Sequence, residues 1–384
     1  MPDISGAIYR TILNKGFIKR HLVKEMMFWI SLLLALITSI IIPPRIESID
    51  WRVIAELLSL MIVVQALKEY KVLEKIATIS LSNLRSARSI GSVIVILTAF
   101  MGAFITNDVA LIALVPLTMT IAEKAKFEPM WIVIIQSQAA NIGSALTPIG
   151  NPQNLFLFEK YEIGIWEFSS LMLPFVVFGV CWTLLMNLLN TKRKIVFDAP
   201  SLEICEPQKL GIFIGCFLVV MLSVFRIIDF RVGLVLTVVV TIILERRFFQ
   251  KIDYFLLGTF LLFFVFIDNI SRMEIIANMM KSATNGEIRT MTRSALLSQF
   301  ISNVPAAILF SSFTGSYKGL LLGVNIGGSG TIIASLANLI AYRIYVKERG
   351  RNLRYIAVFT VSSAITLILS LIFGYFRLKL AGFQ

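Results

Sequence analysis

Two pairs of polar segments interrupt an otherwise apolar sequence. One pair is FITNDVA from Phe104 and FISNVPA from Phe300. The other is NIGSALTPIGNPQNL, Asn141 to Leu155, and NIGGSGTIIASLANL, Asn325 to Leu339, in which Asn, Ile, Gly, Thr, Ile, Asn and Leu recur at matched spacing. These residue types suit ion binding rather than bond making. Pro148 and Pro152 lack a backbone donor, and Gly143 and Gly150 weaken a helix, so a helix through the first phrase should unwind. Unwinding frees carbonyl oxygens for a cation and leaves half-helix N-termini whose positive dipole ends can face an anion. Thr147, Asn151 and Asn154 add side-chain oxygens suited to a hard ion such as Na⁺. The second phrase has no proline and is expected to break less sharply, through Gly327 to Gly330. Taken singly, such a glycine signals close helix packing and such an asparagine an interhelical hydrogen bond. Packing alone gives no reason to repeat the whole phrase, in the same order, beside a repeated tip.

Ionisable residues inside apolar runs are costly and usually functional. Asp108, beside the first tip, could bind a coupling cation or carry a proton. Asp268, near the end of its run, is expected at the headgroup level.

The elements that position these residues must be membrane helices. Of 384 residues, 57% are hydrophobic and 15% charged, and the mean hydropathy is +0.83. That composition, with runs of spanning length such as MMFWISLLLALITSIII from Met26, indicates an all-α polytopic membrane protein. The net charge of +13 comes from Lys and Arg clustered between apolar runs, which fits positive-inside topology and not nucleic-acid binding. Residues 1–25, with Arg10, Lys15, Lys19, Arg20 and Lys24, read as a retained basic cytoplasmic leader, which puts the N-terminus inside the cytoplasmic membrane. Cys181, Cys205 and Cys216 suggest no redox or metal role. The single histidine, His21, argues against a His-ligated metal or a His proton relay. No nucleophile–base pair or nucleotide-binding loop is evident, so neither an enzyme nor a cofactor is expected.

Apolar runs predict spans near 26–43, 52–67, 130–158, 167–190, 210–228, 231–245, 253–270, 319–345 and 354–376. Two further stretches, 89–122 and 294–317, carry the polar tips and read as re-entrant hairpins. Non-helical backbone at membrane depth is tolerable only where protein or a water-filled cavity surrounds it. The segment from Arg272 to Arg293 is expected to lie as an amphipathic helix on the membrane surface. The chain thus divides into a first repeat, 26–190, with hairpin 89–122 and broken helix 130–158. A cytoplasmic linker, 191–209, leads to a second repeat, 210–384, with hairpin 294–317 and broken helix 319–345. SIDW at Ser48 and KIDY at Lys251 echo each other ahead of equivalent helices. Span counting has the two hairpins entered from opposite sides, so the repeats should have inverted topology.

TND with TPIGNPQN, paired with SNVPA and NIGGSGT, resembles the ion transporter superfamily, which holds divalent-anion and citrate transporters, arsenite permeases and some sodium/proton antiporters. The resemblance covers nearly the whole chain, and citrate-transporter-like anion permeases are the nearest branch. It implies a midplane site between inverted repeats, and a homodimer in the bilayer. By position, it implies that Thr106, Asn107, Ser302 and Asn303 contact substrate. Asn107 and Asn303 would also line cation sites completed by Gly143, Thr147, Gly327 and Thr331, to which the residues themselves add Asp108 and Asn151. The third tip positions, Asp108 and Val304, depart from the Ser-Asn-Thr of dicarboxylate carriers. A carboxylate beside an anion site is unfavourable unless a cation or proton neutralises it. The expected function is secondary active transport of a small anion or oxyanion-like solute, coupled to Na⁺ or H⁺, by alternating access. Arsenite efflux and sodium/proton antiport are the alternatives within the fold. An ion channel, the alternative from another class, would want a continuous polar pore.

Overall fold

The computed structural model describes residues 26–81, 84, 86–190, 204–350, 352–380 and 382. The expected leader, 1–25, and most of the expected linker, 191–203, lie outside them. The described chain forms helices α1 (Met26–Ile41), α2 (Trp51–Glu69), α3 (Val72–Leu81), α4 (Ala87–Phe104), α5 (Asn107–Lys124) and α6 (Met130–Ser144). Then follow α7 (Pro152–Lys160), α8 (Ile165–Asn187), α9 (Pro207–Val224), α10 (Phe230–Leu244), α11 (Tyr254–Ser271) and α12 (Glu274–Ala283). The last are α13 (Glu287–Ile301), α14 (Asn303–Ser311), α15 (Tyr317–Gly328), α16 (Leu336–Arg349) and α17 (Leu353–Leu380).

By length and composition, α4, α8, α9, α11 and α17 can each cross a membrane. Leu33, Leu173, Leu218, Val239, Ile243 and Ile368 stand exposed on outward faces, as lipid contact requires and water would not favour. The chain is a multi-pass membrane protein.

The SIDW and KIDY echo has a local cause. Asp50 accepts from Val53 N at 3.1 Å and Asp253 from Leu256 N at 3.0 Å, so each carboxylate caps the helix that follows. These helices, α2 and α11, pack together; α1 lies on α11, and α10 lies on α2. The same exchange recurs deeper in the chain, where α5 packs on α16 and α14 on α7, while α4 pairs with α6 and α13 with α15. On this pattern α10 takes the place of α1, and α9 has no counterpart in the exchange. Helix α9 itself starts at Pro207, inside the expected linker.

The expected break in the first phrase is present between α6 and α7, with a 3₁₀ turn at Pro148–Gly150. The second phrase breaks over an equal length, residues 329–335, against the expectation of a milder interruption. Proline is therefore not required there; Gly328 and Gly330, with buried partners for the freed groups, suffice.

The second helix pair occupies Glu287–Ser311 rather than 294–317, and its first helix absorbs the end of the segment expected to lie on the surface. Only Glu274–Ala283 forms a separate short helix. The reason is packing that hydropathy does not register. Gly319, Gly323 and Gly327 form one stripe on α15, where a Cβ would overlap Glu287, Met291 and Ser294, and Ser298 of α13. Thr290, Ser294 and Ser298 are small enough to be buried there despite their hydroxyls. The first pair of helices spans residues 87–124.

Candidate functional site

The duplicated phrases meet each other as crossed asparagines. Asn141 Nδ2 donates to Asn338 Oδ1 at 2.7 Å, and Asn325 Nδ2 donates to Asn154 Oδ1 at 2.7 Å. Asn141 corresponds to Asn325 and Asn154 to Asn338, so each bond is the other's internal copy. The flanking partners also correspond. Ser335 Oγ donates to Asn141 Oδ1 at 2.8 Å, while Asn151 Nδ2 donates to Asn325 Oδ1 at 3.1 Å. The amides of Asn154 and Asn338 reach back to the carbonyls their own breaks set free: Ser144 O and Thr147 O for one, Gly328 O and Thr331 O for the other. All four asparagines are buried. Each break is thus sealed from inside, which satisfies backbone groups that lipid could not.

The hairpin tips reach the same region. Asn107 Nδ2 donates to Asn141 Oδ1 at 3.1 Å. Asn303 N donates to Ala334 O at 2.9 Å, and its side chain flanks Gly328 opposite Asn141. Thr106 and Ser302, the residues at the two turns, hold φ of 143° and 75° with extended ψ, a region that is essentially glycine's own. Thr147 donates to Ala103 O, and Thr331 donates to Gln299 O at 3.1 Å; each threonine ties its break to the hairpin helix beside it and keeps oxygen lone pairs to offer. Gly143 and Gly327 lie in helix contacts, against Ala99 and Ser298, where no side chain fits.

A cavity of about 200 Å³ reaches this centre from one end. Thr106, Asp108, Asn151, Pro152 and Leu336, at the N-termini of α5, α7 and α16, line this deep cavity, together with Gln65, Lys68, Lys251 and Asp253. Asp108 Oδ1 is buried there without a hydrogen-bond partner among the described residues. A second cavity, of about 400 Å³, repeats the plan with equivalent residues: Asp50 for Asp253, Asp268 for Gln65, Ser271 for Lys68 and Ile308 for Ile112. It stops at Phe156 and Ile308 and does not reach the tip at Ser302. One cavity joins the end of α2 to the start of α11, and the other joins the start of α2 to the end of α11. The two helices therefore run antiparallel, with the cavities at opposite ends of a pair about 28 Å long. Asp268 lies 2.8 Å from Arg272 in an ion pair at the rim of the shallow cavity.

Of the residues singled out in the sequence, the structure brings Asn107, Asn151 and Asn303 to the crossed asparagines, and Asp108 and Thr106 to the deep cavity. Sequence reasoning did not assign site roles to Asn141, Asn325, Ser335 and Asn338, although the repeated phrase already marked three of them. It also missed a buried charge cluster, Arg52, Glu56, Glu159 and Arg226. The spacing of Arg52 and Glu56, one helical turn apart, was the one available signal.

Residues 17–316 match the family model described as citrate transporter. An uncharacterized transporter of Methanocaldococcus jannaschii is 37% identical over 317 residues, covering 81% of this chain and 86% of the relative. The inner membrane protein YbiR of Escherichia coli is 27% identical over 303 residues, covering 77% and 80%. A silicon efflux transporter of Oryza sativa, LSI3, is 28% identical over 164 residues, covering 43% of this chain and 33% of its own length.

Proposed function

The chain belongs to the citrate transporter family, whose members are transporters and not enzymes, and from that premise we propose that it is a secondary active transporter working by alternating access. Its solute is a small anion or oxyanion-like molecule, and Na⁺ or H⁺ is the coupling ion. The observation that carries this reading is the deep cavity. It ends on three helix N-termini, whose dipoles favour an anion, and on an unpartnered carboxylate, Asp108, which demands a cation. Helix ends hold the solute and the coupling ion offsets Asp108, while Lys68 and Lys251 also line the cavity. Asn107, Thr147, Asn151 and Thr331 supply oxygens for that ion, alongside carbonyls of the two breaks near Gly143 and Gly327. Thr106, Ser302 and Asn303 face the solute from the tips.

In the same proposal the halves are inverted repeats, each hairpin re-enters at the level where its neighbouring helix breaks, and the N-terminus is cytoplasmic. The antiparallel course of α2 and α11 supports the inversion, and the contact of each tip with a helix break supports re-entry. A homodimer in the cytoplasmic membrane completes it. The silicon efflux relative favours a second reading: a weakly acidic hydroxy-oxyacid moved in exchange for H⁺.

Thermal-shift measurement on the purified protein tests the function. Small anions and oxyacids are titrated in Na⁺ or K⁺ at several pH values, because a ligand of the folded state stabilises it progressively above its dissociation constant. The expected result is at least one solute whose stabilisation depends on Na⁺ or on pH and which proteoliposomes accumulate. Accumulation that ignores both ions would sink the coupled mechanism.

A further inference from the structure

One cluster of buried charge serves neither the asparagine network nor the deep cavity. Arg52, in the first turn of α2, places Nε 3.0 Å from Glu56 Oε1 and 3.0 Å from Glu159 Oε2. Arg226, just beyond α9, places Nε 3.4 Å from the same Glu159 oxygen. Its other nitrogens donate to Phe158 O at 2.6 Å and Ile163 O at 3.3 Å, and its guanidinium stands 4.7 Å from the Phe158 ring centroid. The carboxylates of Glu56 and Glu159 are almost wholly buried, with side-chain exposures of 1% and 4%. Two helices thus grip the C-terminal end of α7 by a carboxylate, two carbonyls and a ring. Buried guanidinium–carboxylate contacts of this kind hold one geometry and lose heavily when a partner is removed.

The position of this clamp gives it a role. Asp50 and Lys160, its neighbours in sequence, line the shallow cavity, the one that stops at Phe156 and Ile308. At the other end of the molecule the equivalent cavity is open to Thr106, Asp108 and Asn151. There the internal duplication places Arg343 where Glu159 stands and Phe255 where Arg52 stands, so the acid–base pair is not repeated. The end that carries this clamp is the one whose cavity stops short of its tip. We propose that Arg52, Glu159 and Arg226, with Glu56 orienting Arg52, are a gate: they hold α7 against α2 and α9, keep the Asp50–Asp268 cavity shut below Phe156 and Ile308, and must part for it to open. The gate rests on the alternating-access reading.

The test needs no knowledge of the solute. In a background with Cys181, Cys205 and Cys216 replaced by serine, Ile112→Cys reports the deep cavity and Ile308→Cys the shallow one. The probe is a membrane-impermeant methanethiosulfonate bearing a quaternary ammonium. Glu159→Gln is expected to raise the reaction rate at Ile308→Cys about tenfold and to lower the rate at Ile112→Cys, as a shift in the population of the two states requires. Arg226→Gln, which leaves Arg52 on Glu159, should shift both rates the same way by less; it also decides the question should Glu159→Gln not fold. Unchanged rates in a folded variant overturn the gate. Labelling of both cysteines from the same membrane face in the parent protein overturns alternating access, and the gate with it. Opposite-face labelling without a shift overturns the gate alone.

Discussion

The two hairpin tips share a backbone and differ in chemistry. Thr106-Asn107 and Ser302-Asn303 each start a helix from a turn at positive φ with extended ψ, and the tips touch Asn141 in the last turn of α6 and Ala334 in the second break. Yet the first tip carries Asp108 where the second carries Val304. Asn107 bonds to Asn141 through its side chain, whereas Asn303 is fixed through its backbone N–H. A cavity reaches the first tip, and its internal copy stops short of the second. The hydrogen bonds that close the breaks are alike in both halves, while the tip carboxylate and the cavity that reaches it occur in one. The proposed alternating access would use this pairing of symmetric framework and asymmetric contents, since the framework would take two related arrangements and the contents would bias which one is favoured.

The largest expected effect strikes both tips alike. Asn107→Ala and Asn303→Ala should each lower proteoliposome uptake by on the order of a hundredfold, the loss of about 2.7 kcal/mol of solute or ion stabilisation, while the purified protein stays monodisperse. Wild-type uptake by either variant would remove that tip from the site and end the comparison. Next come the crossed asparagines. Asn141→Ala leaves Asn107, Ser335 and Asn338 without a shared partner, and Asn325→Ala does the same to Asn151 and Asn154. Each should cost about 2–3 kcal/mol of stability, read by denaturant titration in detergent, given roughly 1 kcal/mol for each interhelical bond lost. A large loss from one variant and none from the other would show that the framework is less symmetric than its hydrogen bonds.

What the sequence disclosed follows the same division. The breaks and tips were legible because proline, glycine and repeated asparagine act locally on the backbone, and because repetition exposes itself without any structure. The extent of α13 was not legible, since a helix carrying Glu287, Arg289, Thr290, Arg293, Ser294 and Ser298 is buried only by the glycine stripe on α15. Nor was the partner of Asn141, which lies across the molecule at Asn338. Arg226 and Glu159 come together because α9 packs on α2 and α2 on α7, and no spacing records that. Asp108 was legible as a charge in an apolar run, but not as part of a cavity shared with Lys68 and Asp253.

Charge is the third way to sharpen the comparison. Asp108→Asn should abolish or shift the dependence of uptake on Na⁺ or pH, changing it several-fold, with little effect on expression, because the buried carboxylate no longer requires a cation. Val304→Asp transfers the carboxylate to the other tip, which the shallow cavity does not reach, and should mainly destabilise the protein. Uptake measured across a series of Na⁺ concentrations and pH values reads both variants. If Asp108→Asn keeps the full ion dependence, the asymmetry of the tips is structural and the coupling ion binds elsewhere.

The smallest effect concerns what the tips have in common. Thr106 and Ser302 both sit at positive φ with extended ψ, a region that costs a residue with a Cβ about 1–3 kcal/mol. Ser302 makes no capping bond to α14, and its hydroxyl reaches Ala334 O only at 3.4 Å. Ser302→Gly should therefore raise stability by about 1 kcal/mol, after glycine's larger loss of chain entropy is deducted. Thr106 holds a β-branched side chain in the same region but caps α5 through a 3.5 Å contact from Val109 N, so Thr106→Gly relieves more strain and forfeits a weak cap. The two gains should be similar, and both variants should transport more slowly if the strained turn presets the tip for its solute. A loss of stability in either would mean that the hydroxyl, and not the backbone, holds that turn, and the halves would then differ at the point where they look most alike.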